Sequence, residues 1–97
     1  MEVLLDDIIK KIELDYSDSK EIVISLLESF IYNFKLIYGF RPDSRIVRCI
    51  LFLSDTKMEY IKHYIALSEK DWRDVIYQAE YDNFDRKVHD FNKAFNF

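Results

Sequence analysis

The chain has 97 residues, of which 49% are apolar and 33% are charged, and its formal net charge is −4. This length suits one domain with a single core, and this balance argues against a disordered chain. An acidic protein repels nucleic acid and phospholipid head groups at long range, so the charge disfavours both as partners.

Residues that form turns are almost absent, since the only glycine is Gly39 and the only proline is Pro42. A β-sheet protein needs several turns, and turns use glycine, proline and asparagine for backbone angles that other residues resist. With one such turn between two apolar runs, helix caps must supply the other connections. The sequence therefore predicts an all-α fold, a compact single-domain bundle of five or six helices over residues 1–97.

The first two predicted helices span residues 2–15 and 18–38. Apolar residues recur in both at spacings of three and four, which is typical of one buried helix face. Asp18 with Glu21 resembles a capping box that begins the second helix. Gly39 is expected to end it, because a left-handed backbone costs glycine little. This second helix is the longest predicted one and is expected to be the spine of the fold.

The third predicted element depends on residues 46–53, of which seven of eight are apolar. Such a run fits a buried strand as well as a buried helix. No other segment alternates with a period of two and could pair with a strand. We therefore predict a buried helix over residues 43–53, entered through Pro42 and exposing mainly Arg45 and Arg48.

Three further helices are predicted in the second half of the chain. The cap-like pairs Thr56 with Glu59 and Ser68 with Asp71 begin helices of about 56–67 and 69–81. A last helix is predicted from one apolar stripe at spacings of four, three and four, made of Phe84, Val88, Phe91 and Phe95.

The sequence predicts a cytoplasmic protein. Its first residues include acids and lack a basic region followed by an apolar core, which argues against a signal peptide. No apolar stretch approaches the roughly 20 residues that span a bilayer, so no membrane partner is expected. The single cysteine, Cys49, lies in the apolar run and is expected to be a buried, reduced thiol.

Residues that could carry catalysis or bind metal are sparse. Cys49 with His63 or His89 would pair a thiol with a base, but apolar surroundings make a thiol inert. Each histidine follows an acid by four residues, as in Glu59–His63 and Asp85–His89, which suits a metal pair but more commonly an ordinary surface pair. A single glycine cannot build a phosphate-binding loop. We therefore predict no catalytic residue, no metal and no cofactor.

Aromatic residues are unusually frequent, with seven Tyr, eight Phe and one Trp. Most are expected in the core, and the surplus is expected at an interface with another protein or a second copy. Trp, Tyr and Arg dominate binding hot spots, and they concentrate in residues 71–82. The predicted interaction residues are Trp72, Arg73, Tyr77, Glu80, Tyr81, Phe91, Phe95 and Phe97. The alternative is that Arg73 pairs with a nearby carboxylate and the tyrosines cover the rim of the core.

Two other functions stay open at this point. A ligand-binding or enzymatic domain would need a polar pocket near His63, Asp71 and Asp74. An RNA-binding protein would use Arg41, Arg45 and Arg48, with Phe40 available for stacking on a base. The plainer interpretation of this basic cluster is that it neutralises acids of the first two helices.

Several short fragments carry a resemblance, and they are Arg48-Cys49, His63-Tyr64-Ile65, Asp71-Trp72-Arg73-Asp74-Val75-Ile76, Ala79-Glu80-Tyr81 and Asp90-Phe91-Asn92. Through them, the last half of the chain resembles small, uncharacterised bacterial helical proteins with no assigned activity. The resemblance implies a bacterial cytoplasmic protein and adds no catalytic residue. The leading hypothesis is a non-enzymatic protein–protein interaction module, comparable in class to immunity proteins, antitoxins or adaptors and able to form a homodimer.

Overall fold

The computed structural model describes residues 4–97, and within them it has four α-helices. These are α1 (Asp6–Asp15), α2 (Lys20–Tyr38), α3 (Ser44–Ser54) and α4 (Met58–Glu80). A short 3-10 helix, Ser17–Ser19, joins α1 to α2. Residues 81–97, which we call the strap, follow α4 without further helix and contain a single β-bridge between Tyr81 and Lys87. The all-α prediction is confirmed, whereas the prediction of five or six helices is slightly wrong.

The first three helices lie close to their predicted positions. Residues 2 and 3 of the first predicted helix lie outside the described residues, and α1 begins only at Asp6, because the backbone of Leu5 is extended. Gly39 adopts φ 78° and ends α2, where its N–H donates to the carbonyl of Lys35 at 2.9 Å. Asp43 caps α3 by accepting a hydrogen bond from the backbone N–H of Arg45 at 3.0 Å, so this segment is a helix and not a strand.

The predicted helices 56–67 and 69–81 are one element, α4, with a kink at Asp71. Asp71 alone has non-helical angles there, φ −154° and ψ 89°. Its carboxylate accepts a hydrogen bond from the backbone N–H of Arg73 at 3.2 Å, and the hydroxyl of Tyr38 donates to the carbonyl of Glu69 at 2.8 Å. These bonds satisfy backbone groups that a break leaves without helical partners, so the two halves continue directly into each other.

The last predicted helix does not form. Phe84, the first residue of the apolar stripe, is 77% exposed, whereas Phe91 is buried. The carboxylate of Asp82 accepts hydrogen bonds from the backbone N–H groups of Phe84 and Arg86 at 2.8 and 3.0 Å, and Asp85 adopts φ 58°. Aspartate bonded to the following backbone competes with helix formation, which is why periodicity alone gave the wrong prediction here.

The core lies around α3, which packs most extensively against α4. Six consecutive residues of α3, from Ile46 to Leu51, are buried, so this short helix is enclosed almost all round. From α2, the rings of Phe30 and Phe34 enter the core and meet edge-to-face at 5.7 Å. The central element is therefore α3, and the longest helix is α4 with 23 residues, not α2 with 19. Within residues 4–97, no helix is both long and apolar enough to cross a membrane.

Candidate protein-binding surface

Four of the predicted interaction residues follow each other along the second half of α4 and at its end, and they are Trp72, Arg73, Tyr77 and Tyr81. The guanidinium of Arg73 lies 5.8 Å from the centre of the Trp72 ring. One turn further along, the rings of Tyr77 and Tyr81 stack with centroids 5.1 Å apart and an interplanar angle of 12°. Tyr77 and Arg73 are exposed, while Trp72 and Tyr81 are half-buried. We call these four residues the α4 surface.

A groove of about 390 Å³ opens beside the α4 surface. Its lining residues are Phe40, Arg41, Asp43, Arg45, Ile46, Trp72 and Ile76. The apolar residues come from the turn after α2, from α3 and from α4, and charged residues stand beside them. An apolar concavity with polar groups at its edge is the form of a pocket that holds one side chain of a partner.

The position of Phe40 in this groove was not predicted from the sequence. Phe40 is exposed, and its ring packs edge-on to Phe34 at 5.5 Å and lies 6.2 Å from Tyr38. The signal is present in the chain, because an aromatic residue directly after the helix-ending Gly39 belongs to no core stripe. The only role predicted for this ring was stacking on a base.

Phe84 is the second residue whose position was missed. It lies in the tight loop organised by Asp82, directly beyond Tyr81, and the guanidinium of Arg86 lies 5.1 Å from its ring centre. A large apolar side chain held outward on a hydrogen-bonded loop costs solvation energy that a partner would recover. Phe84 therefore extends the candidate surface beyond the end of α4.

Glu80 was predicted on the surface and is instead completely buried. Its carboxylate accepts hydrogen bonds from the Arg45 guanidinium at 2.9 and 2.6 Å, and from the backbone N–H of Phe91 at 3.0 Å. The ammonium group of Lys87 lies 3.5 Å away. Helix periodicity placed Glu80 correctly beside the inner face, but the strap folds back over it. Arg45, expected to be exposed, is half-buried for the same reason.

Arg48 was also expected to be exposed and is buried. Its guanidinium donates to both carboxylate oxygens of Asp7 at 2.9 and 3.2 Å, and to the carbonyl of Phe91 at 3.1 Å. Asp7 accepts a further hydrogen bond from the backbone N–H of Phe95 at 3.1 Å. The prediction that the basic cluster neutralises acids of the first two helices is therefore correct for Arg48, which pairs with Asp7 of α1. Arg45 instead pairs with an acid of α4. Arg45 and Arg48 are therefore both engaged by carboxylates of this chain.

The remaining aromatic candidates lie in the strap. Phe91 is buried and cannot take part in a surface contact in this conformation. Phe95 and Phe97 make their cation contacts with α1, where the ammonium groups of Lys11 and Lys10 lie 5.5 and 5.1 Å from their ring centres. The two rings also lie 6.2 Å from each other, and Phe95 lies 6.0 Å from Phe91, so both belong to a cluster of the strap and α1 that is separate from the stacked tyrosines.

The structure does not bring together the residues that were considered for a polar pocket, for thiol catalysis or for metal binding. His63, Asp71 and Asp74 are exposed, and none of them lines a described cavity. Burial, followed by the charge of Glu80, raises the pKa of the Cys49 thiol to about 12. Within residues 4–97, no group of three or more His, Cys, Asp or Glu is placed to hold a metal ion.

The carboxylates of Glu80 and Asp7, which bind the strap, are held in their charged form. Burial acts to raise the pKa of Glu80 above its ordinary 4.5, but the hydrogen bonds from Arg45 and Phe91 and the neighbouring positive charges lower it below that value. Burial likewise acts to raise the pKa of Asp7. The hydrogen bond from Arg48, together with weaker effects, outweighs burial and lowers that pKa below its ordinary value of 3.8. The charged state of both acids is therefore coupled to the docking of the strap.

We expect this coupling to appear as loss of stability in acid. A carboxyl group whose pKa is lowered by folding stabilises the protein above its unfolded pKa and loses this contribution as the pH falls through its folded pKa. The free energy of unfolding in urea should therefore fall as the pH decreases below 4.5 and then 3.8, the ordinary values for these groups. A Glu80→Gln/Asp7→Asn variant should show a flatter profile below that range. Equal slopes for the variant and the wild type would contradict this assignment.

Comparison with known proteins adds nothing to this geometry, because no family model, curated protein or solved structure matches the chain.

Proposed function

We propose that this chain is a non-enzymatic interaction module of the bacterial cytoplasm, comparable to an immunity protein, an antitoxin or an adaptor. It binds another protein through the α4 surface, the adjoining groove and Phe84. The observation that carries the proposal is the Arg73–Trp72 pair, whose indole ring lines an apolar groove, with the stacked tyrosines one helical turn further along α4. These residue types give large contact areas while keeping polar ends that need no full burial.

The groove suggests what such a partner presents. An aliphatic or aromatic side chain would enter between Phe40, Trp72 and Ile76. The exposed guanidinium of Arg73, which lies on the same side of α4 as Tyr77, would meet a carboxylate or a carbonyl of the partner at the edge. An immunity-like or antitoxin-like protein needs this combination, since a large apolar anchor gives affinity and the polar edge gives selectivity.

A pair of double variants tests the proposal. Arg73→Ala/Tyr77→Ala removes the centre of the α4 surface, and Tyr60→Ala/Lys62→Ala is the matched control on the first half of the same helix. The two tyrosines are similarly accessible, at 46% and 41% exposed. Wild-type protein is used to isolate a partner from a bacterial lysate, and the affinity of the purified partner is then measured for all three proteins.

The α4 double variant should bind at least 100-fold more weakly, since each hot-spot residue contributes roughly 2 kcal/mol or more. The control should bind within about threefold of the wild type. Trp72 is the only tryptophan, so a blue shift of its fluorescence should accompany binding. A variant that keeps its helical circular dichroism and also keeps full affinity would disprove the proposal.

A further inference from the structure

The outward side of α2 is a second exposed surface with large apolar residues, distinct from the α4 surface. Ile22, Tyr32 and Leu36 are 57%, 60% and 69% exposed. With the exposed Ser25 and Ser29 they form a line at spacings of three and four, the a and d positions of a heptad repeat. The opposite side of the helix is buried in the core. Helix α2 therefore has two packing sides, and among residues 4–97 the rest of the structure covers only one of them.

Charged residues flank this line at intervals of seven. When the residues of the outward line are assigned to the a and d positions of the heptad, the successive g positions are Glu21, Glu28 and Lys35. Residues at g and e positions form the charge pairs that set partner and orientation in paired helices. The flank is acidic in its first two positions and basic in its third, so its charge reverses along the helix.

We infer that two copies of this protein associate through antiparallel α2 helices related by a twofold axis. Such an axis brings the same flank of each helix together, because an isologous contact pairs one surface with itself. Glu28 of each copy then faces Lys35 of the other. The inference uses observations on α2 alone and is independent of the proposed binding through α4.

The same arrangement matches large residues of the line with small ones. When the two lines meet in antiparallel register, each a position faces a d position of the other copy. Tyr32 of one copy then lies opposite Ser29 of the other, and Leu36 lies opposite Ser25. Ile22 meets the turn that follows α2, where Gly39 stands. Each large side chain therefore enters the space that a small residue leaves, which is the shape complementarity that close helix packing requires.

A parallel arrangement of the two helices fits less well. It would place each residue of the line opposite its own copy, so that large residues meet large ones and serines meet serines. It would also bring the g flank of one copy against the e flank of the other, where Leu26 and Asn33 stand. Glu21 and Glu28 would then face residues without charge. The antiparallel pairing is thus favoured by both size and charge, which is why a second copy is the partner that this side of α2 fits.

Molar mass in solution tests the inference directly. One helix pair makes a small interface, so we expect association in the micromolar range. The weight-average mass should rise from 11.8 kDa toward twice that value as the concentration increases through roughly 5–500 µM. Leu36→Glu should keep the mass at the monomer value. The matched control is Leu14→Glu, which changes a similarly exposed leucine of α1 (62% exposed) and should still dimerise.

Charge exchange then tests the orientation. Glu28→Lys makes the flank basic and Lys35→Glu makes it acidic, so each variant alone should dimerise about tenfold more weakly than the wild type. In an equimolar mixture, both facing pairs are again of opposite charge, and the mixture should regain the wild-type dissociation constant. Circular dichroism and urea unfolding at low concentration confirm that each variant is folded.

A monomer of unchanged mass at the highest concentration, or equal dimerisation of Leu36→Glu and the wild type, would overturn the inference. Dimerisation that Leu36→Glu abolishes but that the charge mixture fails to restore would overturn the antiparallel register. None of these readings depends on the partner of the α4 surface, so failure of one proposal leaves the other intact.

Discussion

Replacing Glu80 by alanine is expected to lower the free energy of unfolding by about 3–5 kcal/mol, as is typical when one partner of a buried ion pair is removed. Arg45 would lose the carboxylate that it contacts at 2.9 and 2.6 Å, and the backbone N–H of Phe91 would lose its acceptor. Among residues 4–80, Glu80 and Asp7 are the carboxylates that bind the strap backbone, and the strap would lose one of them. Urea unfolding at pH 7 measures the change.

A control on the same helix separates this effect from loss of charge alone. Glu59 is exposed in the first turn of α4, and Glu59→Ala should change stability by less than about 0.5 kcal/mol. Hydrogen exchange of the Phe91 amide gives a local reading, since its protection should fall far more in Glu80→Ala than in Glu59→Ala. Equal stability of the two variants would show that this ion pair does not hold the strap.

Replacing Phe34 by alanine is the second large effect, with an expected loss of about 3–5 kcal/mol. The ring is fully buried, and its centroid lies 5.7 Å from that of Phe30, 4.5 Å from that of Tyr38 and 5.5 Å from that of Phe40. Truncation would leave a cavity at the point where α2 meets the turn. Thermal or urea unfolding measures the loss.

The same variant connects the core to the candidate surface. Without the Phe34 ring, Phe40 loses its edge-on contact and keeps the looser one with Tyr38, so affinity for an α4 partner should fall even under conditions where the variant is folded. Ile37→Ala is the matched control, since Ile37 is an exposed apolar residue of the same helix. A Phe34→Ala variant as stable as Ile37→Ala would contradict the assigned packing.

The fold was largely predictable because its strongest signals are local. Gly39 ends α2 through its own backbone freedom, and the carboxylate of Asp43 reaches an N–H group two residues away. Neither signal needs information from a distant part of the chain. From the sequence alone, the kink at Asp71 could not be distinguished from a boundary between two helices. The hydrogen bond that Tyr38 donates to the Glu69 carbonyl beside the kink joins residues 31 positions apart, so no local pattern predicts it.

The candidate site was predicted in part. Trp72, Arg73, Tyr77 and Tyr81 follow from helix spacing, and the structure places them along one stretch of α4. Phe40 comes from a different element and reaches the groove only through the packing of α2 beside α4. The burial of Glu80 could not be foreseen either, because it depends on how residues far along the chain fold back over α4.

By itself, the sequence determined the helical class, the bounds of α2 and α3 to within two residues, the end of α1 and the aromatic segment of α4. Each of these depends on spacing or capping within a few residues, where backbone geometry leaves little choice. Only the tertiary structure decided that Arg45 and Arg48 are held by Glu80 and Asp7, and that the strap is not helical. Those outcomes depend on charges brought together from separate elements, and a carboxylate is stable in the interior only where such partners converge on it.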